Sequence, residues 1–221
     1  MKTVKSISKQ LFGEKYESIW KSLLASVILF FAIHAAELKL VIAPFILYLT
    51  STFFTAGVMW QMLNGSRHIE AMQGMFMLPF ENRNFVFSYA SVLGTHTLIT
   101  KTLLIWVLFF AVAAWNVFEI VVALLCGCMA CFVASAAYLM FKKRNIVLPV
   151  IWAACILSQI LIVRQSMAVL IISIVSIIGA MLYLFFADAY DFYHVTIAKK
   201  SARHIGHTGN ILVYLDRKSV V

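Results

Sequence analysis

Charge is what this chain has least of. Only 12% of its 221 residues are Asp, Glu, Lys or Arg, about half the ~25% of an average soluble domain. With 63% hydrophobic residues and a mean hydropathy of +0.94, a water-soluble fold would expose large apolar patches and associate without limit. That class is excluded. Cysteine is scarce: Cys126, Cys128, Cys131 and Cys155 all sit inside apolar runs, so no disulfide framework can staple loops together. Short catalytic motifs are missing as well. No G-x-x-x-x-G-K-[ST] occurs, so the chain has no phosphate-cradling loop, and there is no H-E-x-x-H. The apolar runs hold no paired acids, Ser/His pair or zinc motif of the kind intramembrane proteolysis needs. Neither an internal repeat nor a low-complexity linker interrupts the chain. An enzyme is not the expectation.

What is present is a series of apolar runs. At roughly 20 residues per crossing, six spans take about 120 residues. The remainder suffices for short loops and two tails, with no second soluble domain. The expected fold is all-α: a polytopic membrane helix bundle of about six transmembrane helices. The spans are read at about 19–36, 40–63, 96–115, 118–141, 146–163 and 167–186. Ahead of them, Val4, Ile7, Leu11 and Phe12 recur at helical spacing, with Lys2, Lys5 and Lys9 elsewhere around the wheel. This predicts a basic amphipathic helix over 1–17, lying on the membrane surface. No small-residue cleavage site follows it, so it is not a signal peptide. Glu37 and Lys39 make a short turn, and Pro44 is tolerable near the start of the second span.

Phe85–Trp115 is an apolar stretch of 31 residues, roughly 46 Å as a helix against a hydrocarbon core of about 30 Å. Its first half is expected to be partly buried in protein or to lie at the interface, its second half to be the third span. Asn84, Ser88, Ser91 and Thr95 form a polar stripe that should face protein.

The net charge of +9 gathers at juxtamembrane positions: the leading lysines, Lys142-Lys-Arg144, and Lys199, Lys200 and Arg203. Such positions set topology and meet anionic lipid headgroups, so membrane lipid is the expected partner and nucleic acid is not. Of the 18 Lys and Arg, all but Lys39, Lys101 and Arg164 fall on the N-terminal side. This puts both termini in the cytoplasm of a multi-pass protein of the cytoplasmic (inner) membrane.

Few residues could carry chemistry. On a helix Cys126 and Cys128 point about 200° apart, so the Cys126–Cys131 cluster suits close packing with Gly127, Ala130, Ala134 and Ala136 rather than a metal or redox site. Lys101 is the costliest charge in the membrane region. It either snorkels to the nearer interface or faces a cavity or partner, and it is the intramembrane polar candidate. His34 and His96 are expected to make local hydrogen bonds. Asp188, Asp191 and His194 mark a solvated turn after the last span.

The segment 64–84 differs in kind, mixing Arg67, His68, Glu70, Glu81 and Arg83 with Ile69, Met72, Met75, Phe76 and Met77. Ile69, Met72, Phe76 and Pro79 can share one face of a short helix, suited to the interface or to a partner's groove.

An N-terminal basic amphipathic elbow, six spans, two cytoplasmic ends and a helical 2–3 loop together resemble type-2 ABC exporter permeases. The local signature is Met77-Leu-Pro-Phe-Glu-Asn-Arg-Asn-Phe-Val-Phe-Ser88, similar to the "LP, polar residues, F-V-x-S" stretch that follows the second span in such permeases. The resemblance implies a second permease half, of the same or another chain, and a cytoplasmic ABC ATPase subunit. ATP and Mg would sit on that ATPase, with no cofactor, metal or catalytic residue on this chain. It also implies that the 2–3 loop couples to the ATPase, a role falling to Arg67, His68, Ile69, Glu70, Met72, Phe76, Leu78, Pro79, Phe80, Glu81 and Arg83. Two other readings stand beside it: a substrate-capturing membrane subunit of a vitamin or metal uptake system, and an ATPase-independent membrane enzyme or immunity protein. Residues 201–215 read as a cytoplasmic tail. Asp216-Arg-Lys-Ser-Val-Val221 can be encoded by GAT CGG AAG AGC GTC GTG, part of a common sequencing adapter. The expectation is therefore that 216–221 are an artefact and the natural chain continues past Leu215.

Overall fold

A computed structural model describes residues 2–12, 17–65, 82–188 and 192. Among them every regular element is a helix. In chain order these are α1 (Lys2–Phe12), α2 (Glu17–Ala35) and α3 (Pro44–Asn64). Next comes α4, made of Asn82–Thr97, a π-helical turn Leu98–Thr102 and Leu103–Val112. Then follow α5 (Val117–Lys142), α6 (Val147–Ser158 continuing through a π turn Gln159–Val163) and α7 (Ser166–Phe185). The chain is an all-α bundle. Five helices, α2, α3, α4, α5 and α7, are long and apolar enough to cross a membrane, as a multi-pass membrane protein requires.

The two ends of the bundle are fixed by side-chain contacts. At one end Ile7, Leu63, Phe85, Tyr138, Leu184 and Phe192 are buried in a single cluster. That cluster joins α1, the end of α3, the start of α4, the end of α5 and the end of α7. At the other end the Tyr48 hydroxyl donates to Ser166 Oγ at 2.9 Å. The Leu40 N–H donates to the Val112 carbonyl at 2.9 Å, and the Arg164 guanidinium lies 4.6 Å above the Phe45 ring. Successive helices therefore run up and down. α6 leaves the first end and arrives at the second although its apolar helix Val147–Val163 is short, about 25 Å at 1.5 Å per residue. Of the six spans read from sequence, five fall on helices long enough to cross a membrane, and the one read at 146–163 falls on the shorter apolar helix α6.

Three boundaries, and two expectations about which faces are buried, differ from the sequence reading. Leu40–Ala43 are extended rather than helical, because α3 starts with Pro44 in its first turn, where the missing N–H is harmless. The third helix is not confined to 96–115. It begins at Asn82 and ends at Val112, and its early half is helical because Phe85, Val86, Tyr89, Ala90, Val92 and Leu93 are buried in the protein. Trp115 lies past its end, where the indole N–H donates to the Phe109 carbonyl at 2.8 Å, a second bond to an acceptor that also takes the Ala113 N–H at 3.2 Å. The apolar face of α1 meets protein as well as lipid: Ile7 is 0% exposed, seated among Met59, Leu63 and Phe85. Of the polar stripe on α4, Ser88 is buried and Ser91 half-buried. Asn84, in the first turn, and Thr95, at the rim of a pocket beside α1, are exposed.

Chain reversals use charged residues where glycine is the usual choice. Glu37, Arg144 and Arg164 hold φ of 52°, 62° and 54°, the left-handed region that disfavours a side chain. Arg164 offsets this by donating Nε–H to the Leu161 carbonyl at 2.8 Å.

Candidate functional site

The most extended hydrogen-bonded feature inside the described bundle is a belt around the π turn of α4. A π turn lengthens the backbone ring and leaves carbonyls outside the i→i−4 ladder. Two of them are taken up by α2: Ser22 Oγ lies 3.1 Å from the Ile99 carbonyl and 2.9 Å from that of Thr100. Ser26 Oγ donates back to the Ser22 carbonyl at 2.8 Å, and Thr100 Oγ1 to the His96 carbonyl at 2.7 Å. On the other flank, the hydroxyls of Thr55 in α3 and Thr102 in α4 pair at 2.9 Å. One turn further on, Trp106 Nε1–H donates to Ser51 Oγ at 3.0 Å, and Ser51 Oγ donates to the Ala123 carbonyl of α5 at 2.9 Å. Thr97 Oγ1 approaches Met59 Sδ at 3.8 Å. Hydroxyls thus tie α2 and α3 to α4, and α3 in turn to α5, over neighbouring turns of helix. In a bilayer each such interhelical bond contributes on average about 0.6 kcal/mol and at most about 1.7.

Lys101 belongs to this turn but is exposed, whereas its neighbours Thr100 and Thr102 are buried. It precedes the end of α4 by eleven residues, about 16 Å of helix. The belt contains neutral donors and acceptors and one cation, with no nucleophile–base pair. Its chemistry is positional: it holds the helices in register. Among the described residues, no three His, Cys, Asp or Glu are grouped to hold a metal ion.

The other candidate residues fall as follows. Cys126 Sγ faces Ser173 Oγ of α7 at 3.7 Å, whereas Cys131 Sγ donates to the Gly94 carbonyl of α4 at 3.8 Å. The thiols therefore point at different helices and serve packing. A methyl group on Gly127 would lie 2.6 Å from the Trp106 ring, so only glycine admits that ring. His96 is buried with its ring stacked on Phe12, 3.8 Å between centroids. His34 stacks on Phe30 at 6.3 Å. Of the loop residues expected to couple to a partner, Arg67, His68, Ile69, Glu70, Met72, Phe76, Leu78, Pro79, Phe80 and Glu81 lie outside the described residues. So do Asp191, His194 and 201–221. Arg83 is described: its guanidinium sits 4.3 Å above the Phe185 ring, linking the first turn of α4 to the end of α7.

Sequence reasoning passed over Ser22, Ser26, Ser51, Thr55 and Thr102. Their signal was available as hydroxyl pairs at i, i+4 in apolar helices, Ser22/Ser26 and Ser51/Thr55. Threonines also cluster in the overlong run around Lys101. Compared with protein-family models, with curated proteins and with solved structures, the chain matches none.

Proposed function

We propose that this chain is the membrane-spanning permease subunit of an ATP-driven ABC transporter, working as an exporter, with its motor on a separate cytoplasmic ATPase. One observation carries the reading. The buried cluster of Ile7, Leu63, Phe85 and Leu184 gathers α1, both flanks of 66–81 and the end of α7 at one end of the bundle. A motor docking at that end meets the elbow helix, the loop and the tail together. The basic bias of the same end makes it the cytoplasmic face of the inner membrane. ATP and Mg bind the partner, which accords with the missing phosphate loop. In this scheme the loop from Arg67 to Glu81 takes up the ATPase's closure. Arg83 relays the movement to α7 through Phe185, and α4 carries it towards the π turn and Lys101. A second permease half, the same chain or another, completes the pathway.

The test is co-expression with candidate ATPases that contain G-x-x-x-x-G-K-[ST], followed by purification in detergent and an ATPase assay in nanodiscs. The reading expects one such protein to stay bound through size exclusion and to hydrolyse ATP faster with the permease than alone. Met72→Pro should abolish that stimulation. Stimulation unaffected by Met72→Pro would remove the loop from the mechanism, and the absence of any bound ATPase would refute the proposal.

A further inference from the structure

A small pocket opens where α1 meets α4 and the first turn of α2. Val4, Ser8 and Phe12 line it from α1, Ile19 from α2, and Ser91 and Thr95 among others from α4; its volume is about 160 Å³. An engineered apolar cavity of about 150 Å³ accepts a benzene-sized guest, so this pocket takes a short length of hydrocarbon but not a whole lipid. Phe12 stacked on His96 lines it together with Val4, Ile19 and Val92, and Ser8, Ser91 and Thr95 add hydroxyls to an otherwise apolar wall. The helix forming its lip bears Lys2, Lys5 and Lys9 and no acidic residue. In a multi-pass membrane protein, an amphipathic helix of this charge sits at headgroup level.

We propose that this pocket is a seat for one anionic phospholipid, with an acyl segment between α1 and α4 and the phosphate against the basic face of α1. Charge complementarity selects the occupant. A helix whose sequence carries lysines and no acidic residue, beside a mainly apolar pocket, matches a ligand with a negative head and a hydrocarbon body, and the bilayer supplies that ligand at high concentration. The seated chain fills a space that protein side chains leave open. It thereby fastens α1 to α4 beyond the anchor at Ile7, which is fully buried. This site is independent of whether the protein transports anything.

The experiment uses the whole chain in nanodiscs of phosphatidylcholine containing a trace of phosphatidylglycerol with a diazirine in its acyl chain. After irradiation, mass spectrometry locates the adducts. The expected result is labelling concentrated on peptides spanning Val4–Phe12 and Ser91–His96, reduced at least about fivefold by unlabelled phosphatidylglycerol and little by phosphatidylcholine. Thr95→Trp, which fills the pocket from its exposed rim, should remove that labelling, and Lys9→Gln should weaken it. Labelling spread evenly over all lipid-facing helices would overturn the proposal in the wild-type chain without recourse to a variant. Equal competition by phosphatidylcholine would overturn the anionic assignment. Competition by glycerophosphate as strong as by the lipid would show a headgroup site only and overturn the acyl seat.

Discussion

Gly127→Ala gives the sharpest test of the packing described here. An alanine Cβ at position 127 would lie 2.6 Å from Cζ2 and 3.1 Å from Cη2 of Trp106, and 3.2 Å from a Leu98 methyl. Trp106 is 6% exposed, and its indole N–H is held by Ser51 at 3.0 Å, so the ring cannot retreat without lengthening that bond. Overpacking of this kind costs about 1–3 kcal/mol, and losing the interhelical bond adds about 0.6–1.7. Against this, alanine is favoured over glycine in a helix by about 1 kcal/mol. The net expectation is destabilisation of about 1–3 kcal/mol. Gly57→Ala is the control, because nothing lies within 4 Å of its new Cβ, and it should be neutral or stabilising by up to about 1 kcal/mol. Both are read from unfolding in mixed micelles at rising detergent fraction, followed by tryptophan fluorescence. Trp106→Phe in the Gly127→Ala background should recover part of the loss, a coupling of about 1 kcal/mol or more. If Gly127→Ala is as stable as Gly57→Ala, or shows no coupling to position 106, the account of the α4–α5 contact is wrong.

Other expectations follow from the belt, the turns and the loop. Ser22→Ala leaves the Ile99 and Thr100 carbonyls unmet and should cost about 0.6–1.7 kcal/mol, with faster amide hydrogen exchange confined to the π turn; unchanged exchange would contradict the assignment. Arg144→Gly relieves a left-handed residue at φ 62° and should stabilise by up to about 1 kcal/mol in the same micelle assay, while Arg164→Gly should gain less because it also loses the Phe45 and Leu161 contacts. Lys101→Leu removes a charge that costs about 2.5–3.5 kcal/mol at a helix centre. The variant should resist unfolding better than wild type and, on the proposed permease reading, lose ATP-driven transport; a variant equal to wild type in stability would contradict the cost assigned to this charge.

The apolar runs and their helical character were readable directly, because residues excluded from water over about 20 positions admit little else. The end of α5 at Lys142 was legible from the Lys-Lys-Arg cluster. The beginning of α4 was not. Asn82–Thr97 carries Arg83, Asn84, Ser88, Ser91, Thr95 and His96, which averages to a weak signal, and it is helical because Phe85, Val86 and Leu93 meet α1, α3 and α5. That is a tertiary cause, invisible in a window of sequence. Likewise the lysines of α1 disclosed an amphipathic helix, but not that Ile7 would be buried against protein. The hydroxyl belt escaped notice because each Ser or Thr is unremarkable alone. Only the π turn, which no local pattern announces, brings Ser22 to Ile99 and Thr55 to Thr102.

The claim that residues 66–81 engage a nucleotide-driven motor can be tested in intact membranes. A photo-crosslinking amino acid at position 72, with the partner identified by mass spectrometry, is the most direct measurement. The account predicts a dominant adduct with a cytoplasmic protein that contains a G-x-x-x-x-G-K-[ST] loop, lost when the crosslinker is moved to position 39. Adducts with lipid alone, or with no phosphate-loop protein among them, would contradict it.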